Sequence, residues 1–111
     1  MQKIAIPVLN NKLSPRFASS LLFQIFKVKN KLIIKEYPIQ PPSKLSEPLI
    51  AWLAEEGITD IITRGIGHKD VDFFNQHKIN VFVGVKMKSP KILVQEYIAG
   101  TLETHDDLLS T

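Results

Sequence analysis

Three short stretches of the chain, residues 9–17, 64–69 and 84–89, carry cations and no carboxylate. They hold Lys12, Arg16, Arg64, Lys69, Lys86 and Lys88, six of the fourteen Lys and Arg residues, on segments without Asp or Glu. If the fold brings them together, the chemistry they suit is the holding of an anion. The middle stretch reads Arg64-Gly65-Ile66-Gly67-His68-Lys69. Gly65 and Gly67 let backbone approach a ligand closely. A helix expected to follow offers free N–H groups and the positive end of its dipole. That dipole disfavours the imidazolium form of His68, and a neutral imidazole can ligate a metal. Blander readings compete. Loops are polar and lysines are common here, and His68 can cap a helix or sit in solvent. His77 reads as a surface residue. His105, in Glu103-Thr104-His105-Asp106-Asp107, could bind a divalent ion weakly, but a solvated tail is the simpler reading.

Other chemistries lack their residues. There is no cysteine, which removes disulfides, thiolate metal sites and cysteine nucleophiles. Gly65-x-Gly67 is not a dinucleotide fingerprint, since Asp70 stands at the third glycine position. It is not a phosphate-binding P-loop, since no Gly-Lys-Ser/Thr follows. No Ser-His-Asp spacing presents itself, and Asp60 alone cannot supply the converging carboxylates of two-metal chemistry. No catalytic residue is assigned, and the protein is not expected to be an enzyme. A nucleic-acid binder could use the basic stretches and Phe17, but the aromatic and basic sheet face of single-strand binders is missing. The net charge of +3 is modest. No apolar run approaches the roughly 20 residues of a membrane span, and the N-terminus has no signal-peptide layout. A cytoplasmic protein is expected.

The elements that must position these residues follow from pattern. Residues 58–85 hold two β-branched apolar runs, Ile61-Ile62 and Val81-Phe82-Val83, around a polar segment carrying Val71, Phe73 and Phe74. Short runs of this kind read as strands buried on both faces. The unit is a βαβ with parallel strands and a right-handed crossover, and ligands bind beyond the carboxyl ends of such strands. Residues 3–8 read as a first buried strand, in which Pro7 marks a bulge or an edge-facing position. Residues 9–20 form a loop with a turn at Asn10-Asn11. Residues 21–28 and 32–37 form a hairpin turning at Asn30, with Lys27, Lys29, Lys31 and Lys35 as solvated charges. Residues 38–43 form a proline-rich linker. Residues 45–56 form a helix burying Leu45, Leu49, Trp52 and Leu53, with Ser46 as N-cap, Pro48 in its first turn and Gly57 at its left-handed end. Ser89-Pro90 starts a last helix that buries Leu93, Val94 and Tyr97 or Ile98 and stops at Gly100. Residues 101–111 are a tail, expected to be partly ordered. The sum is one α/β domain over residues 1–111, a mixed five-stranded sheet with helices on both faces.

Several motifs resemble one family. Ser14-Pro15-Arg16-Phe17-Ala18, with Phe23-Gln24-Ile25-Phe26-Lys27-Val28 after it, is similar to the opening of the dinitrogenase iron–molybdenum cofactor biosynthesis family. So are Leu53-Ala54-Glu55-Glu56-Gly57-Ile58-Thr59-Asp60-Ile61-Ile62, the Gly65-Ile66-Gly67 turn, Asn80-Val81-Phe82-Val83-Gly84 and Glu96-Tyr97-Ile98-Ala99-Gly100-Thr101-Leu102 to its later segments. The resemblance implies a ribonuclease H-like α/β fold and a cargo that is the iron–molybdenum cofactor or an iron–sulfur precursor. It also implies a nitrogenase-assembly type of protein partner. Two departures stand out. Arg16 replaces the family's histidine and Ala18 its glycine, and the chain has no thiol.

The combined expectation is a non-enzymatic carrier or accessory protein that binds an anionic metal–sulfur cluster, or a related anion, at the rim where the parallel strands end. Arg16, Arg64, Lys69 and Lys86 would supply charge, Gly65 and Gly67 backbone donors, and His68 a metal ligand. The alternative is a binding module of the same fold with no cofactor, for a small anion or a protein partner.

Overall fold

The first apolar run becomes the strand on which the sheet is hung. The computed structural model describes residues 1–17, 20 and 22–110. In chain order its elements are β1 (Gln2–Leu9), β2 (Lys12–Leu13), β3 (Leu22–Lys29), β4 (Leu32–Ile39) and α1 (Ser46–Glu55). Then come β5 (Asp60–Ile62), β6 (Ile66–Gly67), α2 (His68–Gln76), β7 (Asn80–Phe82), α3 (Pro90–Ala99), a 3-10 turn at Asp106–Leu108 and β8 (Leu109–Ser110). The main sheet runs β4-β3-β1-β5-β7, with β2 paired to β1. β1, β5 and β7 are parallel, while β3 is antiparallel to β1 and to β4. The mixed α/β sheet expected from the pattern is present, with the short β2 added to its five long-path strands.

Alternation along β1 splits the core between two faces. Ala5 belongs to one cluster, with Phe23, Ile25 and Ile61 against Leu49, Ile50 and Leu53 of α1 and Phe74 of α2. Ile4, Ile6 and Val8 belong to the other, with Phe26 and Ile62 against Leu93 and Val94 of α3. Helices therefore cover both faces. None of the described helices is long and apolar enough to cross a membrane.

Turn chemistry explains the corners. Asn10 and Asn11 have φ of 53° and 65°, and Asn30 and Lys31 of 53° and 64°. Two consecutive left-handed residues make the tight hairpin turn whose twist matches the strands. The first turn folds β2 back on β1, pairing Val8 with Leu13. A loop was expected there, because a two-residue strand has no period to read. Gly57, at φ 83°, ends α1. Its N–H donates to Ala54 and that of Ile58 to Leu53, the paired bonds that satisfy a helix's last carbonyls.

Three expectations change in detail. Of the two settings expected for Pro7 the bulge is excluded, since the residue sits in regular register opposite Phe23. Its carbonyl accepts from Ser14 N–H, and the parallel ladder to β5 covers only Ile4 and Ala5, so the missing donor falls beyond that ladder. Pro38 belongs to β4 rather than to a linker, which an edge strand tolerates. Leu45, not Ser46, is the N-cap of α1, without a side-chain cap bond. Leu21, Ala18 and Thr111, which entered the sequence reading, lie outside the described residues.

At the amino ends of β5 and β7 a polar cluster fastens α3 to the sheet. Asp60 is 2% exposed, and its carboxylate accepts from Thr59 Oγ1 at 2.6 Å and Asn80 Nδ2 at 3.0 Å. The Tyr97 hydroxyl faces the same carboxylate. Burial first, then the Asp60 charge and hydrogen bond, raise its pKa above 10.0. A phenol whose folded pKa is raised contributes stability that is complete below the unfolded value and is lost as pH rises through the folded one. Thermal unfolding followed across alkaline pH should show the midpoint falling above pH 10.0, with a smaller fall in Tyr97→Phe.

Candidate functional site

The three basic loops meet because β1, β5 and β7 run the same way and end on one edge. Backbone and side-chain bonds then join the loops. Arg16 and Gly65 form an isolated parallel bridge. Around it, Phe17 N–H donates to Gly65 O at 2.8 Å and Gly65 N–H to Pro15 O at 3.1 Å. The buried Ser14 hydroxyl donates to Arg16 O at 2.7 Å. Phe17 anchors this loop in the core, 5.9 Å from the Phe23 ring and 5.3 Å from the Phe74 ring. At 1% exposure it cannot serve as a stacking platform for a base. The second and third loops join through Gly84 N–H to Arg64 O, 2.8 Å, and Arg64 Nη1 to Val85 O, 2.8 Å.

These bonds assign the predicted residues different states. Arg16 is exposed at the rim. Arg64 is half-buried, and one guanidinium N–H is committed to Val85. Gly65 is not a spare donor, because Pro15 takes its N–H. Gly67 is the N-cap of α2 at an ordinary extended φ of −81°, so close approach, not a left-handed backbone, is what a glycine can offer there. His68 and Lys69 are the first exposed residues of α2. The Lys69 ammonium lies 5.9 Å from the Phe73 ring centroid. Among the described residues no three His, Asp or Glu side chains gather into a metal-binding group around His68. Between the β1–β2 turn and the third loop lies a cavity of about 470 Å³ lined by Asn11, Lys12, Leu13, Met87, Lys88 and Ser89.

The rim is not free of carboxylates. The segment after α3 crosses it. Glu103 pairs with Lys86 at 3.3 Å, His105 N–H donates to Val83 O at 2.9 Å, and β8 lies parallel to β6, with Ile66 opposite Leu109 and Gly67 opposite Ser110. Lys88 is paired with Glu96 of α3. The expectation of a carboxylate-free rim followed from reading its loops alone, whereas the countercharge arrives from a distant part of the chain. The residue that sequence reasoning passed over is Gly84. Its φ is 76°, and a Cβ on it would lie 2.0 Å from His105 O. A glycine just past an apolar strand was the available signal, but its contact is not local.

A family model described as dinitrogenase iron-molybdenum cofactor matches residues 1–100. An uncharacterized protein of Methanocaldococcus jannaschii is 32% identical over 87 residues, covering 74% of each chain. The fold is similar to the crystal structure of the protein PH0822, with a TM-score of 0.87, 21% identity, and 96% of this chain and 99% of that one covered. It is also similar to the apo form of the orange protein from Desulfovibrio gigas, with a TM-score of 0.74, 19% identity, and 95% and 93% covered.

The Arg64 bond can be tested. Arg64→Lys keeps the charge but loses the planar N–H that reaches Val85. Urea unfolding should show a loss of about 1.5–3 kcal/mol, the scale of a hydrogen bond from a charged donor. No loss would mean that this bond does not hold the two loops together.

Proposed function

The chain belongs to the dinitrogenase iron-molybdenum cofactor family, and on that premise we propose that it is a non-enzymatic cytoplasmic carrier or accessory protein. It holds an anionic iron–molybdenum or iron–sulfur cluster, as cargo, at the carboxyl-end rim of β1, β5 and β7. The observation that carries this reading is the joining of three basic loops into one edge by the Arg16–Gly65 bridge and the Arg64–Val85 bond. Loops joined in this way hold their cations at fixed spacing before any ligand arrives, which lowers the ordering cost of binding.

Charge is the main term in this reading. Arg16 and Lys12 have no ion-pair partner among the described residues. The Lys86–Glu103 pair is more than half exposed on both sides, and such pairs exchange readily for another anion. Covalent ligation is the minor term. The chain has no thiol and Arg16 cannot ligate iron, so His68 is the imidazole assigned to a cluster at this edge. A cluster held by cations and one imidazole is released more easily than one held by thiolates, as a carrier requires. A protein of the nitrogenase-assembly type would receive it.

A second reading has its own support. Without a thiol, the basic edge suits a small anion or an acidic protein surface as well as a cluster. In that case the fold is kept and the metal is not part of the function.

The deciding experiment is anaerobic gel filtration after incubation with isolated iron–molybdenum cofactor, reading Fe and Mo in the protein peak. The carrier reading expects both metals to co-elute with wild type. It expects loss in Arg16→Ala and weaker retention in His68→Ala. Absence of metal from the wild-type peak would overturn it in favour of the metal-free reading.

A further inference from the structure

Residues 103–110 lie across the edge to which the anion is assigned, and their contacts there are of two kinds. One kind is built into the fold. Gly84, at φ 76°, leaves a space that the His105 backbone fills, since a Cβ at that position would stand 2.0 Å from His105 O and 2.7 Å from His105 N. The bond from His105 N–H to Val83 O fixes the same crossing. The other kind is weak. Residues 103–107 are exposed. Their ion pair, Glu103 with Lys86, is 63% and 58% exposed. Beyond them the hold is the two-residue ladder of β8 on β6. Leu102 packs on the core and Thr101 N–H is bonded to Glu96 O, so the part that opens locally at low cost is the exposed run that starts at Glu103. Its charge is also specific. Glu103, Asp106 and Asp107 lie along this segment, and Lys86, Gly67 and His68 lie where it is seated or directly next to it.

We infer that residues 103–110 are a displaceable strap, an internal anion that covers the rim and leaves it when an external anion binds. This rests on the rim being the anion site. The strap and the ligand compete for Lys86 and for the edge of β6, so each lowers the affinity of the other by the same factor. The competition raises specificity. A weakly charged anion does not displace three carboxylates and a seated backbone, whereas a multiply charged one does. It also provides for release, because the strap can re-dock as the cargo leaves.

The test uses the full-length chain, isolated iron–molybdenum cofactor as the probe, and two readouts. The first is hydrogen exchange at the His105 amide. Saturating cofactor should speed that exchange in wild type. Unchanged or slower exchange would overturn the strap, since the segment would then stay in place or join the site. The second is affinity. Gly84→Ala keeps every tail charge and removes the seat, so cofactor should bind about fivefold tighter or more. Glu103→Gln, Asp106→Asn and Asp107→Asn together should also tighten binding, and these exposed positions leave folding intact if Gly84→Ala does not. Equal or weaker affinity in both variants, with wild type still binding, would overturn the strap and leave the rim reading standing. Failure of every form to bind cofactor would overturn both.

Discussion

Parallel strands that end on one edge leave backbone N–H and C=O groups there, and a buried group without a partner is costly. Much of the carboxyl-end architecture is the solution to that constraint. Past the last ladder pairs, Thr63 N–H reaches Phe82 O, Gly84 N–H reaches Arg64 O, and Gly65 exchanges bonds with Pro15 and Phe17. Val85 O is satisfied by a guanidinium and Val83 O by a residue of the C-terminal segment. The Thr63 hydroxyl is buried there without a partner among the described residues. The groups that satisfy this edge are the ones that bring the cations together. Structure and candidate function therefore use the same atoms.

That sharing explains what the sequence could and could not disclose. Where a feature depends on local pattern it was legible. The apolar runs of β1, β5 and β7 stood out, as did Ser89-Pro90 at the start of α3, where Ser89 Oγ accepts from Ile92 N–H. Gly57 was readable as a left-handed helix end and Gly100 as a helix stop, and both have positive φ. The loops of the candidate edge were also foreseen, because parallel strands fix where loops emerge. Features made by two residues meeting a distant partner were not legible. β2, β6 and β8 have no period. Arg64 read as a free cation because nothing local reveals Val85 as its acceptor. Phe17 could be offered to a nucleic-acid base because nothing local reveals its partners, Phe23 of β3 and Phe74 of α2. Lys78, with φ 60° at the end of α2, takes a conformation that sequence reasoning reserves for glycine or asparagine.

The charge distribution has the same double character. A rim with Lys12, Arg16, Arg64, Lys69, Lys86 and Lys88 and no countercharge would repel itself. Glu103 and Glu96 relieve this at Lys86 and Lys88, and both belong to the chain after β7. Arg16 and Lys12, on the first loop, keep the outward charge. Retaining an anion at this edge depends on long-range charge in place of the thiolates that a metal cluster often has, so affinity should be moderate and salt-dependent. Family membership sets the type of cargo to examine, and the departures at Arg16 and in cysteine content set how it would be held.

The measurement that bears most directly on this account is an anaerobic amide NMR titration of the labelled full-length chain with isolated iron–molybdenum cofactor. The account predicts that shifts and broadening concentrate at Arg16, at Gly65 to Lys69 and at Gly84 to Lys86, the three joined loops. Perturbation confined to the other end of the sheet, at the groove lined by Gln2, Lys29, Lys31 and Tyr97, would contradict it. So would a spectrum that cofactor leaves unchanged.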